Sequence, residues 1–367
     1  MIQKIVSIIA LFTMSAAGLF PAGSSDAETS PDDAGRRLQV VATTNILGDI
    51  VAAVIDDAAE LTVLMPLGQN PHSYSPSPRD IAALEDADVV FVNGLDLEVE
   101  LLPILESLEG PLVVEASRGV DILDGREDED HGDDNHDDAD DHDADDHDAD
   151  DHDHDADDHD TDDHDADDHD ADHDDDHHHH EGDPHVWFSP RSVVVWSRNI
   201  ADALASADPD RAADYRTAST AYIAELESLD AEVRGRVEEI PPDRRLLVTD
   251  HASLGYFARD YGFTVMGNVI PGFSDQAEPS SRQIAELARL AEDEDIAAIF
   301  VGGTAGRNVV KLAESVARES GRDLPVVSLL SGSLAARGQP GDSYLDFVRV
   351  NTERIVGALA GSAGGSR

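Results

Sequence analysis

The sequence predicts an α/β protein of two similar lobes, each a parallel β-sheet flanked by helices, joined by one long rigid helix. Three observations carry this. Short β-branched runs alternate with helical spacing in the first half of the 367-residue chain, the alternation returns in the second half, and a helical pattern fills residues 189–240 between them. Strand, helix, strand in alternation means a parallel sheet with helices packed on it.

In the first half, "LQVVATT" (Leu38 to Thr44), "LTVLMP" (Leu61 to Pro66), "DVVFVNG" (Asp88 to Gly94) and "PLVVEA" (Pro111 to Ala116) read as buried strands. Between them "ILGDIVAAVI" and "SPRDIAALEDA" carry helical spacing, the second starting at Ser77 or Pro78. The second half supplies "RLLVTD" (Arg245 to Asp250), "TVMGN" (Thr264 to Asn268), "AAIFVGG" (Ala297 to Gly303) and "PVVSLL" (Pro325 to Leu330). The connecting segment breaks once, at Asp208-Pro209, and places Tyr222, Leu226, Leu229 and Val233 at helical intervals. A helix from Pro209 to Glu239 would be about 45 Å long at 1.5 Å per residue, a stiff link. The expected domains are a first lobe over 38–188, the connector over 189–240 and a second lobe over 241–360.

Residues 1–27 read as a secretory signal: one early lysine, a short apolar run from Ile5 to Phe12, then small residues. The run is shorter than the roughly 20 residues that span a bilayer. The chain holds no cysteine, which excludes disulfides, thiolate metal sites and a lipid-bearing cysteine after the signal. The mature protein is therefore expected to be soluble in the periplasm or another extracytoplasmic space.

Acidic residues number 79 against 25 Lys and Arg, for a net charge of -54. That balance argues against nucleic acid as a partner, because phosphates need neutralising cations. It fits cationic partners, or life in high salt. Residues 127–183 alone hold 33 acidic residues, 14 of the 17 histidines and no Lys or Arg. Their DDHDA pentads have too few apolar residues to fold, and disorder without metal is expected. Histidine at every fifth position points to a flexible scavenger that binds several zinc ions weakly; a tolerated low-complexity expansion is the plainer alternative.

Only His72, His185 and His251 lie outside that tract. Each falls at a strand-to-loop or loop-to-helix junction, where α/β sheets place their ligands. One histidine alone reads as a hydrogen-bonded surface residue; three at such junctions point to a metal site between the lobes. Three neutral imidazoles and an open fourth place suit zinc, whereas an oxygen-rich set suits manganese better. Ligation needs neutral imidazole, so affinity is expected to fall below about pH 6.5. Trp187 beside His185 reads as packing, Tyr256 and Phe257 as lobe core, and Glu98 and Glu100 as either cleft lining or a helix start. "GGTAGR" (Gly302 to Arg307) lacks the lysine and spacing of a nucleotide loop.

"GQNPHSYSPSPRD", "FVNGLDLE", "DPHVWFSP", "DHASLGYFARDYGF", "QAEPSSRQIAEL" and "GDSYLDFVRVN" together resemble, in order, the landmarks of the ZnuA-like metal-binding proteins of ABC importers. The resemblance covers roughly Leu38 to Leu359. It implies two α/β lobes bridged by one long helix, with a metal in the cleft passed to a membrane permease and its ATPase. It also implies His72, His185 and His251 as the metal ligands, and a His- and Asp-rich loop before the second of them. Two departures stand out. Gly332 occupies the position where many relatives carry an aspartate as fourth ligand, leaving water or a histidine of the tract for that place. Manganese-type members carry a carboxylate where His251 stands, and this favours zinc.

The reading is a monomeric, non-enzymatic solute-binding protein with Zn2+ as its transported ligand. The alternatives are a carrier of manganese or another divalent metal, a periplasmic metal buffer or adhesin, or a zinc-dependent hydrolase; no HExxH pattern supports the last.

Overall fold

A computed structural model describes residues 36–123, 182–274, 277–322 and 324–361. The expected signal at 1–27 and all of the acidic tract except Gly182 and Asp183 lie outside the described residues.

The first lobe runs β1 (Leu38–Ala42), α1 (Asn45–Ile55), β2 (Ala59–Val63), α2 (Pro78–Glu85), β3 (Val89–Val92), α3 (Leu102–Ser107) and β4 (Leu112–Glu115). Two helices follow, α4 (Pro190–Ala207) and α5 (Ala212–Val237). The second lobe runs β5 (Leu246–Thr249), α6 (Gly255–Tyr261), β6 (Thr264–Asn268), α7 (Ser281–Asp293), β7 (Ile299–Gly302), α8 (Arg307–Glu319), β8 (Val326–Leu329) and α9 (Tyr344–Gly361). The sheets repeat one topology, β2-β1-β3-β4 and β6-β5-β7-β8, with every pairing parallel.

All eight expected strands form. The second starts two residues early, at Ala59, because it pairs with β1 from Leu38 onward. Helix starts follow side-chain chemistry: Thr44 caps α1, and Ser77 caps α2 in a reciprocal box with Asp80 just before Pro78.

Alternate residues along each inner strand enter different cores. Val40, Ala42, Val89 and Phe91 of the first sheet, with Leu247 and Phe300 of the second, join one core shared by both lobes. Val41, Val90 and Val92 pack instead with Leu84 and Leu101, while Val248, Ile299 and Val301 pack with residues of α7 and α8. The unbroken apolar runs of the inner strands have this cause: both their faces are covered, whereas the edge strands β2 and β4 leave Val63, Leu112 and Val113 exposed.

The shared core is built largely on α1, α4, α5 and α9. Tyr222, Leu226, Leu229 and Val233 all point into it. At 26 residues α5 is about 39 Å long. Near its start the Arg211 guanidinium donates to the Ala58 carbonyl of the first lobe (3.0 Å), and near its end Arg234 donates to the Asp260 carbonyl of the second (2.9 Å). The long helix expected after the break at Asp208-Pro209 forms as α5, and α4 packs along it, so the two make a helical hairpin.

Candidate metal site

In each sheet the strand order reverses beside the first strand in sequence, and ligand crevices form at the carboxyl ends there. The three histidines outside the acidic tract reach this region from three separate segments.

His72 sits on a single 3-10 turn, Pro71–Ser73, in the loop after β2. The Asn70 side chain caps the turn by accepting from the His72 backbone N–H (3.0 Å). His185 directly precedes the 3-10 turn Val186–Phe188 that leads into α4. His251 follows β5, where the Thr249 hydroxyl donates to its carbonyl (2.7 Å). His185 and His251 are buried and His72 is half-buried.

Their Nε2 atoms converge: His72 and His185 are 3.0 Å apart, His185 and His251 3.2 Å. Three nitrogens at about 2.0–2.1 Å from a tetrahedral ion would be about 3.3 Å apart, so the spacing fits one ion of that kind. Among the described residues this is the one group of three or more His, Cys, Asp or Glu side chains able to share an ion.

Two aspartates orient the rings. Asp183 Oδ1 accepts from His185 Nδ1 (2.8 Å) and from its backbone N–H (2.9 Å), which places the ring proton on Nδ1 and turns the Nε2 lone pair to the cleft. Asp250 Oδ1 lies 3.1 Å from His251 Nδ1 and accepts from its backbone N–H (3.0 Å), while Oδ2 accepts from Gly302 N–H (2.8 Å). The sequence reading missed both, although each stands one or two residues before a histidine.

Burial, then the neighbouring His185 and His251 rings, pushes the His72 imidazole down to about 2, and burial holds His185 well below its usual range. His72 and His185 therefore keep neutral rings, with their Nε2 lone pairs available to an ion, well below pH 6.5. Burial pushes Asp183 up to about 7. Asp250 is held low because the hydrogen bond and charge of His251, with the Gly302 N–H, outweigh its burial.

The crevice walls are Asn70, Pro71, Trp187, Thr304, Ser331 and Gly332 beside the histidines and Asp250. Trp187 packs against His185 with ring centroids 5.2 Å apart, the packing role expected of it. A Cβ on Gly332 would collide with the Pro71 ring, so the turn carrying His72 closes over the place where a fourth side-chain ligand would start. Glu98 does not line the crevice. It is buried, accepting from the Thr43 hydroxyl (2.7 Å) and from the N–H groups of Asn93 (2.6 Å) and Gly94 (3.3 Å), and Asn93 in turn donates to the Pro184 carbonyl (3.1 Å). Its carboxylate thus clamps the ends of β1 and β3 next to the His185 segment; Glu100 is exposed.

Comparison with known proteins identifies the family and the fold. The family model described as zinc-uptake complex component A, periplasmic, matches residues 40–358. The high-affinity zinc uptake system protein ZnuA of Bacillus subtilis is 28% identical over 95% of this chain and 97% of its own length. The manganese-binding lipoprotein MntA of Halalkalibacterium halodurans is 25% identical over 95% and 97%. The iron ABC transporter substrate-binding lipoprotein MtsA of Streptococcus pyogenes is 26% identical over 93% and 94%. Among solved structures, the periplasmic zinc-binding protein TroA of Treponema pallidum superposes with a TM-score of 0.69 at 27% identity, covering 89% of this chain and all of TroA. A manganese-bound periplasmic metal-binding protein of Candidatus Liberibacter asiaticus shares the fold (TM-score 0.66, 22% identity, 88% and 100% covered). The chain belongs to the ZnuA family, the periplasmic component A of zinc-uptake complexes.

Proposed function

We propose that the chain captures Zn2+ through His72, His185 and His251 outside the cytoplasm and delivers it to an ABC permease driven by its ATPase. The family is one of metal-binding transport proteins, and relatives are named for zinc, manganese and iron, so the donor set must choose among the ions. The observation that carries zinc is the donor chemistry: three neutral imidazole nitrogens at tetrahedral spacing, with both nearby aspartates facing the far side of the rings. Manganese favours oxygen ligands and higher coordination, and no carboxylate joins this group of three. Zinc needs no more than three protein ligands and a water.

Calorimetric titration of the full chain, and of a chain with residues 127–181 replaced by a short linker, tests the reading. One tight zinc site is expected in both, abolished by His72→Ala and favoured over manganese by at least about 100-fold. Tighter manganese binding would reassign the cargo. Loss of the tight site with the linker would move the receptor into the acidic tract.

A further inference from the structure

We propose that Tyr256 is a positioning residue for metal capture: its hydroxyl pins His185 to the second lobe, so that His185 and His251 form a standing pair to which His72 is added last. The proposal rests on the three histidines being the metal site.

The chain leaves the first lobe at Leu123 and returns at Gly182, and Asp183 N–H donates to the Leu123 carbonyl (2.9 Å), closing the stem. One hydroxyl from α6 holds both sides of it. Tyr256 Oη donates to the Asp183 carbonyl (2.8 Å) and accepts from Leu123 N–H (3.3 Å). Tyr256 is fully buried, with the Arg259 guanidinium 5.0 Å over its ring and donating to the Asp121 carbonyl (2.8 Å). Gly255 permits the approach, since a Cβ there would sit 2.7 Å from Asp183 Oδ2. The Asp183 carboxylate is the group that orients His185, so the pin acts on the ligand through one residue.

Beyond His185 the same attachment continues. Trp187 Nε1 donates to the Ser331 carbonyl (2.9 Å), Tyr344 Oη to the Trp187 carbonyl (2.9 Å) and Ser189 Oγ to Asp260 Oδ2 (2.5 Å). Against these four bonds to the second lobe, counting that of Tyr256 to Asp183, segment 183–189 has two to the first: Asp183 N–H to the Leu123 carbonyl and Asn93 to the Pro184 carbonyl. His251 stands four residues before α6, the helix that carries Tyr256. His72 rides on its own turn in the first lobe, and the ring contact within hydrogen-bond distance that it makes is to His185. Separation of the lobes therefore removes His72 from a pair that stays together, instead of dividing His72 and His185 from His251.

The test uses the full chain and Co2+, whose tetrahedral complexes absorb strongly in the visible where octahedral carboxylate complexes do not. Tyr256→Phe keeps the ring and deletes both hydrogen bonds; release of Co2+ to a chelator should become about 10- to 100-fold faster, with the metal-free protein still unfolding cooperatively. His72→Ala should keep a weakened tetrahedral or near-tetrahedral complex, whereas His185→Ala and His251→Ala should lose it. Unchanged release in Tyr256→Phe, or equal damage from all three alanine variants, would overturn the proposal. The three-histidine comparison decides the order of ligands even where Tyr256→Phe fails to fold. A wild-type chain with no tetrahedral band would instead sink the metal-site reading itself, and the proposal with it.

Discussion

At the scale of single residues, the cleft separates the groups that bind from the group that titrates. His72 and His185 have folded pKa values below the ordinary 6.5, so between pH 5 and 7 they carry no proton for an incoming ion to displace. Asp183 is shifted the other way, to about 7, and below that pH it is protonated in the metal-free protein. A dication on the far side of the His185 ring favours the carboxylate, with His251 and Arg259 already drawing it down. Protonation of Asp183 should therefore weaken binding as pH drops below 7, and calorimetry in buffers of different ionisation enthalpy at pH 5.5 would count the protons released on binding. Release of no proton would mean that Asp183 is already ionised in the metal-free protein. The three candidate ligands were legible in the sequence because so few histidines stand outside the acidic tract. Asp183 and Asp250 were not, because an aspartate next to a histidine orients its ring only when the backbone between them bends back, and composition carries no trace of that bend.

At the scale of elements, the inner strands were legible because they are covered on both faces and read as continuous apolar runs. Their ends were less so: the start of β2 is fixed by pairing to β1, a contact distant in sequence. The connector illustrates a second limit. Periodicity identified the buried face of α5, Tyr222 through Val233, but not that α4 would lie against it, because a break at Asp208-Pro209 does not fix the angle between the helices on either side. Leu229, fully buried in the shared core, measures how far the lobes depend on this helix. Leu229→Ala should cost about 2–5 kcal/mol, as truncations in close-packed cores do, and chemical unfolding should show one transition for both lobes. Two separated transitions would mean that the lobes fold independently and that the common core is only an area of contact.

At the scale of the whole molecule, a net charge of -54 on 367 residues makes self-repulsion a standing cost of the compact state. Raising NaCl from 0.05 to 1 M shortens the Debye length from about 14 to 3 Å, and the melting temperature of the metal-free protein should rise with it. A flat or falling melting temperature would show that the acid groups are spaced widely enough to ignore one another. Composition made this visible at once; the shared core was hidden, since no local pattern says which face of a strand meets the other lobe. The spacing of the three histidines along the chain has one more consequence. His72 is 113 residues from His185, which is 66 from His251, so no short stretch of these segments can chelate an ion as the assembled cleft does. An extended chain has no such cleft, and the three-histidine group is assembled only when both sheets and the helical hairpin are complete. Cargo then becomes a certificate of maturation, and each bound ion makes that finished state harder to undo.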